Sequence, residues 1–181
     1  MQVFFKTKAE IELFLSRLSL LRCPFCGASG TLVRHGFIRW FKSPEECGIR
    51  AWRFRCKKGP QRRGCGRAPS IRLWSSIPRR CFDAKQLWAF IQALHQSRSI
   101  KAAWEHAGIP LSLDTGYRLY RHLCRCQSVL RTHLCARAPP PKTKAGTPLL
   151  QVFAHLKEAF GPGCPIPGYQ ETFQRSFLAI A

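Results

Sequence analysis

Acid is what this sequence has least of: nine Asp and Glu stand against 30 Lys and Arg, a formal net charge of +21 over 181 residues. Only two residues are Asp, Asp83 and Asp114, and each sits where a helix cap belongs. Catalysis by a pair of Mg²⁺ ions needs a cluster of carboxylates that this chain does not supply. Also missing are a Ser/His/Asp arrangement, a Gly-rich phosphate loop and a His-hydrophobic-His motif accompanied by Tyr. These absences predict a protein that is not an enzyme. No apolar run approaches a membrane span, and the opening Met1-Gln-Val-Phe-Phe-Lys-Thr-Lys lacks the layout of a signal peptide. A cytoplasmic location with no membrane partner is expected.

In such a compartment ten cysteines read as metal ligands and buried thiols rather than as a disulfide framework. Four of them form two pairs, Cys23-Pro-Phe-Cys26 and Cys56-(eight residues)-Cys65. The first spacing lets both thiolates reach one metal, and Gly27 lets the backbone fold beneath it. The second pair is flanked by the small residues of Gly64-Cys65-Gly66. Four thiolates suit Zn²⁺ in a closed tetrahedral site with no position left for substrate, so Zn²⁺ is the expected cofactor and its role structural. Cys47 is a rival ligand. Cys124, Cys126, His133 and Cys135 form a weaker grouping on a helix-periodic stretch, where small buried residues are the better account.

Twenty of the 30 basic residues are Arg, which favours bidentate contacts to phosphate and guanine. A field of this size attracts polyanions and makes their binding depend steeply on salt. Lys57, Lys58, Arg62, Arg63 and Arg67 crowd the second cysteine pair and are read as nucleic-acid contacts.

The expected fold class is α+β: a small antiparallel zinc ribbon, then a mostly α-helical helix-turn-helix domain, then a short helical tail. Residues 1–21 carry a helix from Thr7 to Leu20, with Ile11, Phe14, Leu15 and Leu18 on one face and a capping-box spacing from Thr7 to Glu10. Residues 22–74 form the ribbon, with Gly36 as a turn between two runs. Its period-two strand faces Arg50, Trp52, Phe54 and Cys56 one way and Ile49, Ala51, Arg53 and Arg55 the other. A ribbon this small depends on its metal.

Residues 82–136 form the helical domain. Asp83 caps a helix with Gln86 three residues on, and Leu87, Phe90, Ile91 and Leu94 make its stripe. A second helix follows Ser99 and stops at Gly108. A third begins near Asp114 or Thr115 and carries Arg118, Arg121 and Arg125 opposite Leu119, Leu123 and Leu130. Helix, Gly-containing turn, then a helix with a basic face is the grammar of a helix-turn-helix. On that reading Thr115, Gly116, Tyr117 and Arg118 open the recognition helix, and Arg121, His122 and Arg125 continue its nucleic-acid-binding face. Residues 137–147 read as a Pro-rich linker. Residues 148–181 read as a helical tail that either folds back or docks a protein partner through 149–178.

The order of zinc ribbon, Cys65-Gly66-Arg67 at the last ligand, and helix-turn-helix resembles the N-terminal DNA-binding region of zinc-ribbon insertion-sequence transposases, over roughly residues 22–130. The resemblance implies recognition of double-stranded DNA of transposon-end type, with Cys23, Cys26, Cys56 and Cys65 as ligands and a transposase as a candidate partner of the tail. Transposases of this type also carry an Asp-Asp-Glu core, which is missing here. The expectation is therefore a nucleoid-associated DNA-recognition or accessory protein without catalysis. An RNA-binding zinc-ribbon protein is the alternative.

Overall fold

The computed structural model describes residues 2–41, 47–59, 62–97, 99–142 and 146–180, with the backbone alone described at Trp40, Phe41, Cys47, Gly59, Arg62 and Arg63. The fold is mixed α+β, and the chain gathers into two compact units, Met1–Trp74 and Ser75–Ala181.

The first unit begins with a strand that periodicity did not suggest. β1 (Gln2–Phe5) pairs in parallel with β6 (Ser70–Leu73), placing Val3 opposite Ile71. Between them come α1 (Lys8–Ser16), a 3-10 turn (Leu18–Leu20), β2 (Leu32–Phe41), β3 (Cys47–Cys56), β4 (Lys58–Gly59) and β5 (Arg62–Arg63). The main sheet runs β1-β6-β3-β2, and β4 and β5 form a separate two-stranded hairpin. The sheet is therefore mixed rather than an antiparallel ribbon, and residues 1–21 belong to the same unit as 22–74.

The capping box on α1 is present: Thr7 Oγ1 accepts from the Glu10 amide at 3.1 Å, and Glu10 Oε2 accepts from the Thr7 amide at 3.3 Å. Ile11, Leu15 and Leu18 are buried against Trp52, Phe54 and Ile71 of the sheet. Phe14 bridges the rings of Phe5 and Phe54, at 5.3 and 5.8 Å. On β3 the alternation holds for Trp52, Phe54 and Cys56, which are buried, and for Arg53 and Arg55, which are exposed. Ala51 departs from it and is fully buried. Gly36 is not a turn. It lies within continuous β2, with φ at +110°, where the register against β3 shifts between Arg34 and Gly36.

The second unit is helical: α2 (Ala84–Gln96), α3 (Ile100–His106), α4 (Leu113–Cys135), α5 (Pro148–Phe160) and α6 (Ile166–Phe173). Asp83 caps α2 with Gln86 as its reciprocal partner, and Ser99 caps α3. Leu87, Phe90 and Ile91 point into the core, where Phe90 meets Trp104 of α3 edge-on at 5.2 Å. Trp104 donates its indole N–H to the Leu111 carbonyl at 3.0 Å, tying α3 to the loop that starts α4. Gly116 is buried, and a Cβ there would lie 2.8 Å from the Trp104 ring.

The tail folds back. Leu149, Val152, Phe153 and Leu156 of α5, Ile166 and Tyr169 of α6, and Phe177 and Leu178 beyond it share one core with α2, α3 and α4. The start of the Pro-rich stretch is fastened to α5. Arg137 donates to the Ala159 carbonyl at 3.1 Å and covers the Phe160 ring at 4.5 Å, and His155 Nε2 lies 2.9 Å from the Ala138 carbonyl. Residues 82–136 are thus part of a larger helical body, because the apolar stripe of α5 needs the far side of α4 to cover it.

Candidate metal centre

Two backbone turns bring the four paired cysteines together. In the first, the Gly27 amide donates to the Cys23 carbonyl at 2.8 Å, with Gly27 at φ +72°. In the second, the Gly66 amide donates to the Cys56 carbonyl at 3.1 Å, with Gly66 at φ +76°. Both need the left-handed conformation that glycine adopts without strain. Gly64 is required for a different reason: a Cβ there would lie 2.2 Å from the Lys57 carbonyl oxygen and 2.8 Å from Cys56 Sγ.

The Sγ atoms of Cys23, Cys26, Cys56 and Cys65 all lie within 4.8 Å of one another. Cys23 and Cys65 are 3.7 Å apart, and Cys26 and Cys56 are 3.8 Å apart. A tetrahedron with metal–sulfur bonds of about 2.3 Å has edges of about 3.8 Å. The donor set and spacing therefore fit a four-coordinate metal ion. These are free thiols, not disulfides. The side chain of Cys47, the rival ligand, lies outside the described residues.

The thiols are not equivalent. Burial pushes Cys23 up to about 11. Burial acts on Cys56 in the same sense, but hydrogen bonds from the Thr31 hydroxyl, the Cys65 amide and the Cys23 and Cys26 thiols outweigh it and bring Cys56 down to about 7. The hydroxyl and the amide each lie 3.2 Å from Cys56 Sγ. Such contacts orient a metal-bound thiolate. Thr31 carries no spacing signature, and only the fold reveals its role: its carbonyl accepts from the Lys57 amide at 2.7 Å, placing its hydroxyl over the ligand.

Around the site, Lys57, Lys58 and Arg67 are exposed, as a phosphate-contacting role requires. Arg67 rests over the ring of Phe25 in the first turn, at 5.0 Å. The side chains of Arg62 and Arg63 lie outside the described residues. Their backbone pairs Lys58 with Arg63 and Gly59 with Arg62, so two cationic residue types stand in direct register.

On α4 the predicted face divides. Tyr117, Arg118, Arg121 and Arg125 are exposed. Arg118 is held by Asp114, one turn earlier, at 2.7 Å. Thr115 is half-buried, with its hydroxyl 3.2 Å from that of Ser112. Gly116 faces Trp104 rather than solvent. His122 belongs to the fold instead: its Nε2 lies 2.8 Å from the Leu178 carbonyl, in a chain segment 56 residues away.

The second cysteine grouping does not assemble. Cys126 is buried in the core, Cys135 is exposed, and His133 stacks on Phe173 at 4.9 Å with Nδ1 2.6 Å from the Tyr169 hydroxyl. Among the described residues the only metal-like group is the quartet. Among them, too, no helix is long and apolar enough to cross a membrane.

No family model, no curated protein and no solved structure matches this chain. The resemblance to insertion-sequence transposases rests on the sequence motifs alone.

Proposed function

We propose that this chain is a zinc-dependent, sequence-selective DNA-binding protein related to mobile elements, acting in recognition or as an accessory factor without catalysis. The observation that carries the reading is a quartet of thiolates at tetrahedral spacing inside the more basic of the two units. Residues 1–74 hold 16 Lys and Arg against 4 Glu, a formal +12, while residues 75–181 hold 14 against 5, a formal +9. Zn²⁺ is the ion such a soft, closed, all-sulfur site prefers, and it is redox-silent. It holds the second cysteine turn and the β4–β5 hairpin in place, so that Lys57, Lys58, Arg62, Arg63 and Arg67 meet one stretch of phosphate backbone. The exposed Tyr117, Arg121 and Arg125 of α4 supply a second contact face. Arg118 joins it on exchanging Asp114 for a phosphate. Double-stranded DNA, of transposon-end type by the motif resemblance, is the proposed partner.

The test is binding of the zinc-loaded chain to duplex DNA, single-stranded DNA and RNA across a salt series, beside Cys56→Ser and Cys65→Ser variants. The expected result is a duplex preference whose affinity falls steeply with salt and is lost when a ligand is removed. Preference for RNA, or binding indifferent to the cysteines, would sink the reading.

A further inference from the structure

The helical unit holds a cleft that neither its core nor the proposed DNA contacts account for. α2 packs closely on α3 and α6, and α5 packs closely on α4 and α6, but α2 and α5 do not pack closely on each other. A cavity of about 210 Å³ lies between them. Its floor is apolar: Trp88 and Ile91 of α2 and Phe153 of α5 are buried, with half-buried Ala154 beside them. Lys157 and His95 are exposed at its rim, and among the described residues no Asp or Glu lines it. The Cys164 thiol, four residues past the end of α5, donates at 3.3 Å to the carbonyl of Ala84, the first residue of α2. Four residues reach at most about 14 Å, less than the length of about 20 Å of either helix. The end of α5 therefore lies by the start of α2, and Lys157 belongs to the Trp88 end of the cleft.

Trp88 supplies a second observation. It is only 6% exposed, and its indole N–H is buried without a hydrogen-bond partner, whereas Trp104, the other indole of this unit, donates to the Leu111 carbonyl. A buried donor left unpaired costs free energy that an acceptor seated in the cleft would offset. Lys157 has no acidic partner among the described residues. Imperfect packing would explain an empty gap between two helices. It does not explain an unpaired donor and an unneutralised cation at the same end of that gap. Together these two groups suit a carboxylate, and the apolar floor suits a ring. Size narrows the class further. A cavity of about 150 Å³ takes benzene, so this one takes one ring or two fused rings rather than a long acyl chain. A partner's helix would need a row of anchor pockets at i, i+3 or i+4 and i+7, and the cleft has room for one anchor.

We propose that the α2–α5 cleft binds a small aromatic carboxylate, its ring against Trp88, Ile91 and Phe153 and its carboxylate on Lys157 and the Trp88 N–H. The site lies wholly within the helical unit and does not depend on the DNA-binding reading.

The experiment titrates the full chain with 2-naphthoate, with the neutral 2-naphthylmethanol and with decanoate, read by calorimetry and by the Trp88 indole N–H resonance, assigned through Trp88→Phe. Salt at about 0.15 M screens the general attraction of a +21 chain for anions. The variants are Lys157→Met, Ala154→Leu to fill the cleft, and Lys101→Met as a control at an exposed lysine of α3. Each is accepted only with an unchanged Tm, and Ala154→Val replaces the larger substitution where that fails. A ligand of this size should bind with a Kd on the order of 0.1–1 mM. Naphthoate should bind about five- to tenfold more tightly than the alcohol and move the Trp88 N–H resonance downfield. Lys157→Met should erase most of that preference while keeping the alcohol's affinity, Ala154→Leu should weaken both ligands at least about tenfold, and Lys101→Met should change neither. No binding of naphthoate, equal binding of acid and alcohol, or a preference that survives Lys157→Met overturns the site. So does binding undiminished in Ala154→Leu, or a loss in Lys101→Met as large as that in Lys157→Met. An unmoved Trp88 N–H overturns the indole contact, and tighter binding of decanoate overturns the aromatic class.

Discussion

The two units reach stability by different routes. Among the described residues the helical unit buries a cluster of 25 apolar side chains contributed by α2 to α6 and their connections. The sheet unit buries nine, and two of those, Cys23 and Cys56, belong to the metal quartet. A cluster that small leaves little margin over the entropy of ordering the chain. The sheet unit therefore has more to gain from an ion held by its cysteine quartet than the helical unit, which has no such group among the described residues. The lesson concerns how charge and core are shared between the units. The unit with the smaller apolar core carries the denser charge.

Stripping the metal should break this comparison most visibly. A closed zinc–thiolate site contributes on the order of 10 kcal/mol to folding. With a strong chelator, or in Cys56→Ser, the near-UV signal of Trp52 and its neighbours should collapse while the helical far-UV signal of the second unit persists. Simultaneous loss of both would mean that the two units fold as one.

The converse is Leu123→Ala, at the fully buried centre of α4. It should cost the helical unit about 2–5 kcal/mol, read as a lower denaturation midpoint, with metal stoichiometry unchanged. Falling zinc content in that variant would show that the helical core supports the metal site.

Gly64→Ala sharpens the contrast within the sheet unit. Its Cβ would collide with the Lys57 carbonyl and crowd Cys56 Sγ, so the second turn must open. About 2–3 kcal/mol is expected, measured as weaker competition for zinc against a chelating dye. Ala at Gly66 should cost less, about 1 kcal/mol, because only the left-handed backbone is at stake. A Gly64→Ala protein binding zinc as tightly as the parent would refute the geometry of that turn.

The smallest effect belongs to pH in the helical unit. Burial, then the Arg175 charge, hold His133 below its ordinary value of 6.5, while Nδ1 meets the Tyr169 hydroxyl and the ring stacks on Phe173. A depressed folded-state value means that the unfolded chain binds more protons, so this contribution is complete above about 6.5 and is lost as the solution is acidified through the folded value. A modest fall in Tm of the helical unit between neutral and mildly acidic solution is expected, flattened in His133→Gln. A Tm that rises on acidification would contradict the sign.

Much of the local structure was legible without coordinates. The capping residues Thr7, Asp83 and Ser99 act through neighbours three residues on, so their roles can be read from spacing. So can the apolar stripes of α2 and α4 and the two cysteine pairs, whose ligands converge within 4.8 Å. Each is a short-range rule operating within one element or one turn. What escaped was pairing at a distance. β1 finds its partner in β6 across most of the first unit, and no rule of spacing connects Val3 with Ile71. His122 had the correct helical position for a basic face, yet its ring is taken by the Leu178 carbonyl. Gly116 fell at the expected start of a recognition helix but is spent on close approach to Trp104.

The amino-acid sequence by itself determined the inventory: an acid-poor, arginine-rich chain with four thiols in two metal-spaced pairs and helices whose apolar faces demand cover. Those are properties of composition and of contacts within a few residues. Tertiary structure alone decided how the inventory is shared. It drew the N-terminal segment into the sheet, closed the tail over α4, set Thr31 over Cys56, and left Arg39, Arg53 and Arg55 facing outward. Burial is a competition among all the apolar surfaces of a unit, and its outcome depends on every segment at once.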